Sequence, residues 1–199
     1  MTGYQDFAKI FGSGVFIKSH EISRKYSFQK ALSSLYIIPT FFRGIYYIPT
    51  DRERKGHFIE KQQDFITSLF TIRYGKKKWY WGLSTAARYY GMEWSATKIL
   101  EIVVLEKTKT INISEKILSL KKKKSYRSSI LQQYFSSLDI NLIYIHKGNQ
   151  QSFSSIKIDE RIGPICQKEQ IPRDIEKFSS KIRNPNLKRI YRRIIANYQ

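Results

Sequence analysis

Residues 16–49, FIKSHEISRKYSFQKALSSLYIIPTFFRGIYYIP, constrain the fold of this chain more than any other stretch. The β-prone run Val15-Phe16-Ile17 leads to Ser19, which can cap a helix over residues 20–25, and Ser27 can cap the next over residues 28–35. In that second helix Phe28, Ala31, Leu32 and Leu35 share one face, and Gln29, Lys30, Ser33 and Ser34 take the other. Residues 36–42 and 45–48 then read as strands around Arg43-Gly44, and Pro49 followed by Thr50-Asp51 closes the segment. Strand, helix, helix and hairpin in that order predict a helix-turn-helix with a β-hairpin wing.

Either side of this segment the pattern is mixed. Thr2-x-x-Gln5 reads as a capping box for a first helix. Tyr4, Phe7, Ala8, Ile10 and Phe11 form its apolar stripe, and Gly12-Ser13-Gly14 ends it. The charged run Asp51-Arg-Glu-Arg-Lys-Gly56 reads as a linker, dividing the chain into a DNA-binding domain over 1–55 and a C-terminal domain over 56–199. The apolar stripes of 1–55 can close on one another, which predicts that this piece folds alone.

Beyond the linker, residues 58–74 suggest an amphipathic helix, broken at Gly75-Lys-Lys-Lys78. Trp79-Tyr-Trp-Gly-Leu-Ser enters a helix over 85–90 that stops at Gly91. Strands are expected at 99–105, 108–113 and 142–146, and helices at 125–137, 172–180 and 185–198, with β-prone residues across 152–166. In the last helix Leu187, Ile190, Tyr191, Ile194, Ile195 and Tyr198 make a core stripe, and Lys188, Arg189, Arg192 and Arg193 a basic one. The expected class is α+β, a winged helix-turn-helix followed by a mixed α/β domain.

Charge narrows the function. The 199 residues hold 36 Lys and Arg against 16 Asp and Glu, a formal net charge of +20. A hydrophobic content of 41% and an aromatic content of 15% argue for a folded chain over a basic disordered tail. Such a surplus repels itself in the compact state and is relieved by a polyanion. A compositional drift towards Lys could raise Lys over Arg, but it gives no reason for so few carboxylates. The single Cys166 excludes an internal disulfide and a Cys-based zinc site. His20, His57 and His146 lack metal-ligand spacing and read as surface or capping residues, so no metal or cofactor is expected. The N-terminus lacks the pattern of a signal peptide, and aliphatic runs such as 102–105 are too short to span a bilayer. These features predict a soluble cytoplasmic protein with no membrane partner.

A recognition helix sets short polar side chains against base edges while its other face packs on the domain. Ser27, Gln29, Lys30, Ser33 and Ser34 meet that demand, and Arg43 beside Gly44 can take a guanidinium into the minor groove. Lys18, Lys25, Lys76, Lys77, Lys78, Lys121, Lys122, Lys123 and Lys124 are either phosphate contacts or solvated charges. Trp79-Tyr80-Trp81 offers bases a stacking surface and equally suits a core. No phosphate-cradling glycine loop or nucleophile elbow is present, and Glu101 and Glu106 read as strand-end surface charges without an acidic partner. No catalytic residue is assigned. Sequence-specific binding of double-stranded DNA is the leading expectation. An RNA-binding protein using the basic C-terminal domain and a mobile-element nuclease are the alternatives.

The arrangement up to Phe42-Arg-Gly-Ile-Tyr46 resembles the N-terminal domain of the AbiEi antitoxins of type IV toxin–antitoxin systems, whose hairpin ends in arginine, glycine, hydrophobic, tyrosine. Trp81-Gly-Leu-Ser-Thr-Ala-Ala-Arg-Tyr-Tyr-Gly91 is similar to the family's next signature, a Leu-Ser-x-x-x-Ala-like helix ending at glycine. The hydrophobic strand at 99–105 falls where the family places one. This chain has Thr-Ala-Ala-Arg-Tyr-Tyr-Gly where the family usually has Ala-Leu-x-x-His/Tyr-Gly, and the resemblance has no counterpart beyond Ile113. It implies a regulator that binds inverted repeats upstream of its own operon and counters a nucleotidyltransferase-like toxin without a stable complex. It assigns Gln29, Lys30, Ser33 and Ser34 to the recognition helix and Arg43 and Gly44 to the wing.

Overall fold

The computed structural model describes residues 3–198. Helices and two separate sheets make the chain an α+β protein. Its first half runs α1 (Tyr4–Phe11), β1 (Val15–Lys18), α2 (Ser19–Ser23), α3 (Phe28–Ser33), β2 (Ile38–Pro39), β3 (Ile45–Ile48), α4 (Asp51–Gly56), α5 (Gln62–Tyr74), β4 (Trp79–Trp81) and α6 (Leu83–Tyr89). There follow β5 (Ile99–Val104), β6 (Lys109–Asn112), α7 (Ile113–Lys122), α8 (Tyr126–Ser137), β7 (Leu142–Lys147), α9 (Gln150–Phe153), β8 (Ile156–Asp159), β9 (Gly163–Cys166), α10 (Gln170–Ser179) and α11 (Pro185–Tyr198). Two compact units result, one of Met1–Arg73 with Glu115–Asp139, the other of Tyr74–Ser114 with Ile140–Gln199.

In the first unit β3 lies between β1 and β2, antiparallel to both, with Ile17 opposite Tyr46 and Ile38 opposite Tyr47. Tyr4 and Phe7 of α1, Ile17, Ile22, Ala31, Ile37 and Ile48 form one buried cluster, with Phe28 and Leu32 packed against it. Each fully buried Ile or Phe among them contributes about 1.5–3 kcal/mol on leaving water. Helix α3 ends sooner than periodicity predicts because Leu35 takes a left-handed conformation, φ 54°. Strand β2 is much shorter than the predicted 36–42. Pro39 has no N–H for a ladder, and the Thr40 hydroxyl accepts from the Phe42 N–H at 3.1 Å, which folds the chain into its turn. The predicted box at Thr2 and Gln5 involves Thr2, which lies outside the described residues; the Gln5 amide donates to Asp51.

The predicted linker is helix α4, and the boundary at residue 55 falls inside the first unit. Thr50 caps α4 by accepting from the Glu53 N–H at 3.2 Å, while Glu53 accepts from the Thr50 N–H at 2.8 Å. Glu53 is buried, and its carboxylate also accepts from the Tyr47 hydroxyl at 2.7 Å and the Glu60 N–H at 2.9 Å. A charged run is a linker only if its charges stay in water, and three donors hold the Glu53 carboxylate inside. The following helix starts at Gln62, later than the predicted residue 58.

The second unit is built on a six-stranded mixed sheet in the order β6-β7-β5-β4-β9-β8. Strand β5 pairs parallel with β7 over its whole length and antiparallel with β4. Trp79, Tyr80 and Trp81 form β4, a strand that leads through the N-cap Gly82 into α6, and all three are buried. Alternate residues of a strand face opposite ways, so both faces of the sheet are covered here. The Trp81 indole N–H donates to the Ile162 carbonyl at 2.8 Å, and the Tyr80 hydroxyl to Asp174 at 2.9 Å. Helix α6 packs on β5, and α10 and α11 pack on α6 and on each other. Among the described residues no helix is long and apolar enough to cross a membrane.

Candidate nucleic-acid interface

Helix α3 is placed by its own sequence. The Ser27 hydroxyl accepts from the Lys30 N–H at 3.3 Å, starting the helix, and Ala31 is buried beneath it. That bond makes Ser27 a cap. Gln29, Lys30 and Ser33 are exposed, while Ser34 is half-buried as the C-cap. The Ser33 hydroxyl donates to the Lys30 carbonyl at 3.2 Å, so its lone pairs are what it offers a base. The Lys30 ammonium sits 5.8 Å from the Tyr26 ring centre.

The hairpin turn between β2 and β3 carries Arg43, exposed, and Gly44 at φ 81°, a conformation an L side chain rarely adopts. The Gly44 carbonyl accepts from the Ser19 N–H at 3.0 Å, which fixes this turn against the start of α2. Lys18 is exposed at the end of β1, and Lys25 is exposed between α2 and α3. From Ile22 to Thr50 the sequence has no Asp or Glu, while Arg24, Lys25, Lys30 and Arg43 are all exposed. Arg24, at the C-cap of α2, is an exposed cation of this stretch that the predicted set omits.

The lysine clusters divide between the units. Lys121 and Lys122 end α7, Lys123 and Lys124 follow it, and all four are exposed in the unit that holds α3. Lys76, Lys77 and Lys78 are exposed in a turn after Gly75, in the other unit. The buried Trp79-Tyr80-Trp81 presents no stacking surface to a base.

Glu101 is the largest departure from the sequence reading. It is completely buried in the middle of β5, where a surface charge was expected. Its carboxylate accepts from the Ser84 N–H at 3.1 Å, the Ser84 hydroxyl and the Tyr191 hydroxyl, and lies 3.1 Å from His146 Nε2. Ser84 and His146 are themselves buried, so the cluster ties α6, β5, β7 and α11 together without facing solvent. Burial first, and then the Glu101 carboxylate, push the Tyr191 phenol far above its ordinary value. His146, for which the sequence predicts a surface or capping role, is part of this core. Asp174 is likewise buried, which raises its carboxyl above the usual range although Tyr80 and Gln170 donate to it.

Among the described residues no group of three His, Cys, Asp or Glu is placed to hold a metal ion. No family model matches the chain, and no curated protein matches it either.

Proposed function

We propose that the first unit is a winged helix-turn-helix that binds double-stranded DNA, and that the chain is a sequence-specific transcriptional regulator. One observation carries the reading: α3 turns Gln29, Lys30 and Ser33 to solvent within a carboxylate-free stretch framed by the antiparallel order β1-β3-β2. Gln29 has the donor and acceptor to pair bidentately with adenine, Ser33 can accept from a base, and Lys30 can reach guanine or phosphate. Arg43 on the turn suits a narrow minor groove. Autoregulation as a type IV antitoxin is part of the same proposal and rests on the likeness of residues 42–46 and 81–91 to that family. The DNA it reads would be inverted repeats upstream of its own gene, and its functional counterpart a nucleotidyltransferase-like toxin.

The test is a competition between the gene's own upstream duplex, a scrambled duplex and matched RNA. The upstream duplex is expected to win. If about six phosphates are contacted, affinity falls on the order of a thousandfold between about 50 and 200 mM salt. Preference for the RNA, or a flat salt response, would overturn the reading. Rescue of growth when the chain is co-expressed with a neighbouring nucleotidyltransferase tests the antitoxin part separately.

A further inference from the structure

A cavity of about 390 Å³ opens in the first unit where α3 ends, α4 ends and α8 begins. Arg54, Lys55 and His57 line it from α4 and its C-cap, Tyr126 and Arg127 from α8, and Ser34 from α3. Among the described residues no Asp or Glu lines it. Among the described residues neither Arg54, Lys55 nor Arg127 forms an ion pair. The Arg54 guanidinium lies 4.8 Å from the Tyr4 ring centre and 5.8 Å from that of Tyr36. Tyr126 is 78% exposed at the rim.

Cations gathered in a concave site repel one another, and an anionic ligand relieves that repulsion. A surface lysine in a basic protein needs no explanation, because water solvates it. Two guanidiniums and an ammonium lining one cavity, beside an exposed aromatic ring, do need one. A ligand with several oxyanion acceptors supplies it, since guanidinium forks pair bidentately with phosphate oxygens. The first turn of α8, capped by Ser125, adds a positive dipole end to the same cavity. The shape and charge therefore select phosphate, and Tyr126 offers a surface on which a base or sugar can lie.

We propose that this cavity is a phosphate-binding site, formed by Arg54, Lys55 and Arg127, continuous with the C-terminal end of α3. Its phosphate comes either from the backbone of the duplex held by α3 or from a free mononucleotide acting as an effector. The backbone source rests on the DNA-binding reading above; the mononucleotide source does not.

Two probes separate the sources on the full-length chain: AMP followed by calorimetry, and an upstream duplex followed by fluorescence anisotropy across a salt series. The double variant Lys55→Gln/Arg127→Gln is compared with wild type and with Lys168→Gln, an exposed lysine in the other unit. The exposed Lys55→Gln alone keeps the comparison readable if the double variant is poorly folded. AMP binding that the double variant weakens tenfold or more, and Lys55→Gln at least threefold, assigns the site to a free ligand. No AMP binding, with duplex affinity reduced by the same factors and the double variant's salt slope shallower by about two, assigns it to the DNA backbone. Wild type that binds AMP in this site but no duplex keeps the phosphate site and sinks the DNA-binding reading. Wild type that binds neither probe, or variants that behave as Lys168→Gln does, overturn the inference.

Discussion

The Tyr134 hydroxyl, on α8, donates at 3.1 Å to the main-chain carbonyl of Glu53, on α4. The Ser137 hydroxyl accepts from the Ile59 N–H at 2.8 Å, and Phe16 and Tyr47 meet the Phe65 ring at 4.9 Å. The first 55 residues thus pack against later ones, Phe65 on the sheet and Tyr134 on α4. A fragment of residues 1–55 loses these partners and is expected to lack a cooperative urea transition, contrary to the expectation from its apolar stripes. A sharp transition for that fragment would restore the simpler boundary.

Ser27, the N-cap of α3, and Gln29, in its first turn, have separable roles. Ser27→Ala removes a helix cap and is expected to cost about 1 kcal/mol of folding stability. Gln29→Ala is expected to leave stability within about 0.5 kcal/mol and to lower discrimination between upstream and scrambled duplex by about 1–3 kcal/mol. Urea denaturation and paired affinities at fixed salt measure the two effects. If Gln29→Ala weakens both duplexes equally, the side chain does not read bases.

Glu101 accepts from donors on α6 and α11, and truncating it strands all of them inside the core. Glu101→Ala is expected to destabilise the protein by about 3 kcal/mol or more. Ser84→Ala, which removes one donor and leaves the carboxylate its other partners, should cost less. Urea or thermal unfolding ranks the two, and equal losses would mean the carboxylate is not the hub.

Asp174 gives a pH signature. Burial raises its folded carboxyl above the ordinary value of 3.8, so between those two values the folded state holds more protons than the unfolded state. Its contribution to stability is therefore full below 3.8 and declines as pH rises through the folded value. Asp174→Asn keeps an acceptor for the Tyr80 hydroxyl and removes the charge. Its stability relative to wild type is expected to improve from pH 4 to pH 7, read by urea denaturation at each pH. A difference that shrinks with rising pH would refute the assignment.

Periodicity alone delivered the helices whose burial is one-sided. The bounds 185–198 of α11 are those its apolar stripe predicts, and α8 covers all of the predicted 125–137 except Ser125, which caps it. The exposed Gln29, Lys30 and Ser33 and the buried Ala31 of α3 follow from the same reasoning. The Thr50-x-x-Glu53 box was equally visible in the sequence, but the charge density around it favoured a linker.

The sequence by itself determined the strong basic charge, the order of elements from α1 to β3 and the outward polar face of α3, because each depends on local spacing or composition. Only the tertiary structure decided that Glu53, Glu101 and Asp174 lie inside, that Trp79-Tyr80-Trp81 is a covered strand, and that the N-terminal unit borrows α8. Whether a carboxylate leaves water depends on donors supplied from elsewhere in the chain, as Tyr191 does for Glu101 across 90 positions. No local pattern records that supply.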